Sequence, residues 1–113
     1  MISSSQEIKE NPRILVVQKL YGHHLNEDSA IVFPKHRYKK FIKDVVNGTI
    51  ERKDLIQELI DNELKNCINI NKTELMTKLM IMAAIYEFMY MHKTPVKVVI
   101  NEYLKVADFF IKD

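Results

Sequence analysis

Apolar residues recur along this chain at helical spacing, in five separate blocks. Ile14, Val17, Tyr21 and Leu25 fall three to four residues apart, with Val16 and Leu20 beside them, and that period predicts a first helix. Asn11-Pro12 is its start signal: a capping side chain, then a residue whose fixed φ and missing N–H suit the first helical position. The pattern fades between His23 and Asn26, leaving residues 26–33 as a loop. A second helix is expected after Pro34, with Tyr38, Phe41, Ile42, Val45 and Val46 as its stripe and Asn47-Gly48 as its end. A third begins at Thr49, read as an N-cap, and carries Leu55, Ile56, Leu59, Ile60 and Leu64 up to an asparagine-rich turn at 66–71.

The fourth helix, expected over Lys72 to Met91, is apolar on nearly every side: LMTKLMIMAAIYEFMYM. Lys78 and Glu87 interrupt that run and it is short for a bilayer, so it is expected as the central helix of a bundle, with no membrane partner. Its methionines are adaptable core filling. The fifth helix opens at Thr94-Pro95 and buries Val96, Val99, Ile100, Tyr103, Ala107 and Phe110, with Lys97, Asn101, Lys105, Asp108 and Lys112 opposite. Only two glycines and three prolines punctuate the chain, and nothing alternates at strand period. The fold class is all-α.

Composition adds little to that picture. With 113 residues, 47% of them apolar and 28% charged, the chain is expected to be one domain with a modest core of its own. One cysteine, Cys67, and a polar N-terminus without an apolar leader point to a cytoplasmic protein. The net charge of +2 hides a tilt: residues 1–48 carry eight Lys/Arg against five Asp/Glu, and residues 49–113 nine against ten. That tilt points weakly to a polyanion near the N-terminal half.

Candidate chemistry is sparse. His23, His24, His36 and His92 lack the spacing of a metal site, Cys67 reads as a half-buried small residue, and no phosphate loop, nucleophile triad or carboxylate pair is visible. The chain is therefore expected to be neither an enzyme nor a cofactor protein. The strongest local signal is KHRYKKFIK, Lys35 to Lys43, five Lys/Arg and a histidine interleaved with Tyr38 and Phe41. On a helix His36, Lys39, Lys40 and Lys43 share one face, either a phosphate-contacting patch or a solvated surface.

Two stretches then resemble one family. VVQKLY (Val16 to Tyr21) is similar to the A-V-Q-A-L-Y signature of NusB, the bacterial transcription antitermination family. AIYEFMYMHKTPVKVVINEYLKVADFF (Ala84 to Phe110) resembles its Y-E-L-L … P-x-K-V-x-I-N-E run. The resemblance covers Asn11 to the end and implies a single domain of about five helices in two small subdomains, 11–67 and 72–113, behind a flexible tail at 1–10. It implies non-catalytic binding of boxA-type ribosomal RNA leader transcripts together with the ribosomal protein NusE, within the RNA polymerase antitermination complex. The expected RNA contacts are Lys9, Arg13, Gln18, Tyr21, Lys39, Lys40, Lys43, Lys97 and Asn101; Glu87 and Glu102 fall to the protein partner. Tyr21 also lies on the apolar stripe, and Asn101 and Glu102 also suit a role in fixing helix five, so both readings stay open. The family's arginine cluster is here QEIKENPR, which implies weaker RNA binding. Its closing F-V-N-G-V-L-D helix does not follow, which leaves Phe109, Phe110 and Ile111 suited to another surface or to a homodimer. A protein-interaction module with little RNA affinity is the alternative. The catalytic domain that NusB-like modules precede in certain ribosomal RNA methyltransferases has no room in 113 residues.

Overall fold

The computed structural model describes residues 11–67 and 73–111. Lys9, the expected tail at 1–10, the expected subdomain boundary and Lys112 lie outside the described residues. Five helices are present among those described: α1 Pro12–Leu25, α2 Lys39–Glu51, α3 Lys53–Glu63, α4 Leu75–Tyr90 and α5 Val96–Ile111. The all-α architecture is the one the residue pattern predicts.

α1 starts where its signal stands. Asn11 Oδ1 accepts from the Arg13 and Ile14 amides at 3.0 and 3.4 Å, satisfying two N–H groups that have no partner inside the helix. The expected stripe is rotated, however. Ile14, Leu15, Val16, Val17 and Leu20 are buried, whereas Tyr21 and Leu25 are 37% and 65% exposed. With Arg13, five consecutive buried residues mean that the first half of α1 is covered on all sides, which a surface-helix template does not anticipate.

α2 departs most from expectation. It begins at Lys39, after a turn closed by the Lys39 amide on the His36 carbonyl at 3.1 Å, and it runs through Gly48 instead of ending there. The reason is packing. A Cβ at Gly48 would overlap the ring of Tyr86 on α4, so this glycine admits a neighbour's ring where a stop was expected. Thr49 is accordingly inside α2 and 2% exposed, not the N-cap of a new helix. α3 follows after Arg52 alone and buries Ile56 and Ile60, while Leu55 is left 59% exposed.

α4 is the hub. It packs against each of the other four helices, and Leu79, Met80, Met82, Ala83, Ile85 and Tyr86 are all buried. One apolar cluster draws on all five helices, so both expected subdomains contribute to the same core. α5 opens with the Pro95 carbonyl accepting from the Val98 and Val99 amides at 3.0 and 3.1 Å. Its buried side is Val99, Tyr103 and Val106; Val96 and Ile100, expected inside, are 59% and 47% exposed.

Side-chain contacts fix the direction of α1 and α2. The Arg13 guanidinium lies over the Phe41 ring at the start of both helices. Leu20 and His23 face Thr49, Ile50 and Lys53 across a cleft at the far end of both. The two helices therefore run side by side in broadly the same direction, and residues 26–38 return along their length.

Candidate nucleic-acid interface

Two groups of charged side chains stand out, one inside and one outside. The inner group centres on Arg13, expected from the resemblance at an RNA surface. It is 8% exposed. Its Nε and Nη2 donate to the two carboxylate oxygens of Glu87 at 2.9 and 2.7 Å, the bidentate geometry that suits a guanidinium best. Its Nη1 lies 4.0 Å from Glu102, and its plane covers the rings of Phe41 at 4.8 Å and Tyr103 at 5.7 Å. Burial works to lower the Arg13 pKa, but the Glu87 hydrogen bond and charge more than offset it and hold the group above its ordinary value. Burial, reinforced by the Glu87 charge, pushes the Tyr103 phenol well above its ordinary range.

The placement corrects two expectations. Arg13 does not face solvent, and Glu87, expected at a protein partner, is 1% exposed. An unpaired charge costs several kcal/mol to bury, so Glu87, the only acid of the mostly apolar α4, needed a cation inside the fold. That was the available signal: Glu87 within LMTKLMIMAAIYEFMYM, and Arg13 beside a run of four apolar residues. Glu102 is half-buried and divided between Arg13 and Lys105, the latter at 3.1 Å.

The outer group is the Lys35–Lys43 segment. Lys35, Arg37, Lys39, Lys40 and Lys43 are all exposed, and the chain from Pro34 to Lys43 holds no acid. Lys40 is engaged by Asp44 one turn on, at 2.8 Å, and the hydrogen bond and charge of Asp44 raise its pKa. The turn before α2 is built around His36, whose Nδ1 accepts from the Tyr38 amide at 2.9 Å. Tyr38 is 46% exposed, with the Arg37 guanidinium 5.4 Å from its ring centre and the His36 ring at 6.0 Å. Lys43 lies 5.9 Å from the ring of Phe33. α2 has no side-chain cap and no acid in its first turn, so Lys39 and Lys40 stand at the positive end of the helix dipole, where anions are favoured.

The remaining expected contacts are scattered. Gln18 is half-buried, and Tyr21, Lys97 and Asn101 are exposed. The backbone of α5, which carries Lys97 and Asn101, does not come within 8 Å of that of α2 among the described residues, so these two are not brought beside the lysines. Cys67 is exposed instead of half-buried. Among the described residues no group of three or more His, Cys, Asp or Glu could hold a metal ion, and no helix is long and apolar enough to cross a membrane.

Among the described residues the fold is a five-helix bundle closed around a buried Arg–Glu pair, with a cationic and aromatic surface before α2. The chain belongs to the NusB family, whose pattern it matches over residues 10–113. Among curated proteins it is similar to the transcription antitermination protein NusB of Rickettsia akari (strain Hartford), 35% identical over 66 residues, 58% of this chain and 42% of that protein. The protein of the same name from Oceanobacillus iheyensis is 33% identical over 86 residues, 76% of this chain and 68% of its own length. That of Bacillus thuringiensis (strain Al Hakam) is 31% identical over 71 residues, 63% and 54%. The aligned part thus spans about half the length of several of these relatives. No solved structure matches the chain.

Proposed function

We propose that this chain is a cytoplasmic transcription antitermination factor that binds boxA-type ribosomal RNA leader transcripts without catalysis. It does so together with NusE, inside the RNA polymerase antitermination complex. Family membership supports the process, and the observation that carries the RNA reading is the exposed, acid-free basic and aromatic segment before and within α2. Lysines at 39 and 43 supply salt-dependent phosphate contacts, and aromatic rings accept unstacked bases of a single strand. Lys40 contributes less, because Asp44 already holds it. Tyr21 and Gln18 on α1 supply a ring and a base-edge partner, and Lys97 and Asn101 offer a separate point of contact on α5. Glu102 is the one of the two expected partner-facing acids that still reaches solvent.

One observation favours a second reading, a protein-interaction module of low RNA affinity. Arg13 is spent on the core, and Val96, Ile100 and Leu104 leave an apolar line on the outside of α5, a surface that suits a protein or a second copy of the chain. Fluorescence anisotropy of labelled boxA-type RNA, titrated at two salt concentrations with and without NusE, separates the two. Binding that tightens with NusE and weakens with salt is the expected result. A NusE complex that adds no RNA affinity refutes the first reading in favour of the second.

A further inference from the structure

The turn that leads into α2 is held at several points around one exposed ring. Counted by its spacing with the buried stripe of the second helix, Tyr38 is instead 46% exposed. Its amide donates to His36 Nδ1 at 2.9 Å, and its carbonyl accepts from the Ile42 amide at 3.0 Å. The next amide, that of Lys39, donates to the His36 carbonyl at 3.1 Å. Both backbone groups of Tyr38 are thereby fixed, so the side chain leaves from a defined root. To accept a hydrogen bond, Nδ1 of His36 carries no proton, which places the imidazole proton on Nε2.

The surroundings of the ring select its partner. The Arg37 guanidinium lies 5.4 Å from the ring centre, and the His36 ring 6.0 Å away at a tilt of 41°. Lys35, Arg37 and Lys39 are exposed, and none of the three is in an ion pair among the described residues. A hydrocarbon partner strands those cations, and a bare anion makes no use of the ring. A duplex offers phosphates but keeps its bases stacked inside, whereas an unpaired base on a phosphate chain uses ring and cations together. Fixing the root of the ring beforehand lowers the ordering cost of that contact.

We propose that Tyr38 is the ring on which an unpaired base of the bound RNA strand stacks, and that His36 is the positioning residue that holds it there. The inference rests on the RNA reading above and deepens it, naming a base contact beside the phosphate contacts of Lys39 and Lys43.

The test is anisotropy of labelled single-stranded boxA-type RNA against the full chain with NusE, at two salt concentrations. Heparin, a polyanion without bases, is titrated in parallel. The proteins are the wild type, Tyr38→Leu, Tyr38→Phe, His36→Asn and His36→Ala. Y38L is expected to bind RNA about five- to hundredfold more weakly, with the salt slope and the heparin affinity unchanged because no phosphate contact is lost. Y38F keeps the wild-type affinity. H36N also keeps it, because an asparagine side chain accepts from the amide two residues on in the same kind of turn, whereas H36A loses about two- to tenfold. A Y38L variant that weakens RNA and heparin alike overturns the stacking role, and H36N as weak as H36A overturns the positioning role. Salt-dependent RNA binding that is equal in Y38L and the wild type removes this inference and leaves the RNA reading standing. A wild-type chain that binds no RNA removes both.

Discussion

The buried pair of Arg13 and Glu87 makes a demanding prediction. Replacing Arg13 with Met keeps an unbranched side chain of similar length over the Phe41 ring but leaves Glu87, 1% exposed, without its cation. Breaking one side of such a pair costs about 3–5 kcal/mol, a large share of the roughly 5–15 kcal/mol that holds a small domain together. With an unfolding entropy of about 2.1 cal/mol/K per residue, the full chain has ΔS near 240 cal/mol/K, so R13M lowers Tm by roughly 13–20 °C. E87M falls by a similar amount. The double variant R13M/E87M behaves otherwise: replacing both charges by apolar groups is neutral or stabilising by about 1–4 kcal/mol, so its Tm returns to the wild-type value or above. Thermal and urea unfolding followed by circular dichroism at 222 nm on all four proteins gives the coupling directly. If each single variant costs less than about 1 kcal/mol, as an exposed ion pair would, or if the double variant costs the sum of the singles, the buried-pair argument fails.

The remaining expectations are smaller. Gly48→Ala, which in an exposed helix gains about 1 kcal/mol, destabilises here by about 1–3 kcal/mol, because the added methyl meets the Tyr86 ring; a Tyr86→Leu background shrinks that cost, and urea midpoints show whether it does. Lys39→Glu/Lys43→Glu weakens RNA binding and flattens its dependence on log salt by about 0.7 per lost phosphate contact, read by anisotropy; an unchanged slope reduces the segment to a solvated surface. Tyr103 has a folded pKa well above its ordinary value of 10.0, so the unfolded chain releases this proton first as pH rises. Its contribution to stability is therefore complete below about pH 10 and is lost as pH climbs from there toward the folded pKa. Tyr103→Phe removes that loss, measured as a shallower fall in urea midpoint between pH 9 and 11.

Much of the fold was legible because helix starts and apolar periods are local. Asn11-Pro12 named the start of α1 to the residue, and the all-round apolarity of α4 announced the hub. The errors came from contacts between distant segments. Gly48 resembles a stop signal when only its neighbours are considered, and the ring that requires a glycine there is Tyr86, on another helix. Val16 and Leu20 looked like flanking residues because one period can describe only one buried face, and α1 is covered on several. The candidate site divided in the same way. The basic and aromatic alternation from Lys35 to Lys43 is a property of one segment and was visible as such. The fate of Arg13 depended on a carboxylate far along the chain. Tyr38 was misplaced with the stripe of α2, because a periodic pattern does not show that the helix starts one residue after it.

The separation of Arg13 from Glu87, seventy-four positions, has a consequence for how the chain is made. A ribosome adding about 5–20 residues per second exposes Arg13 for roughly 4–15 s before its counter-charge has been synthesised. Over that interval α1, α2 and α3 can form, but the helix that touches all of them does not yet exist, and neither does the ring that fills the space at Gly48. Closure of the core over α1, α2 and α3 is thus timed by the synthesis of α4, and the first half of the protein waits, with its one inward-facing arginine still in water, for the second.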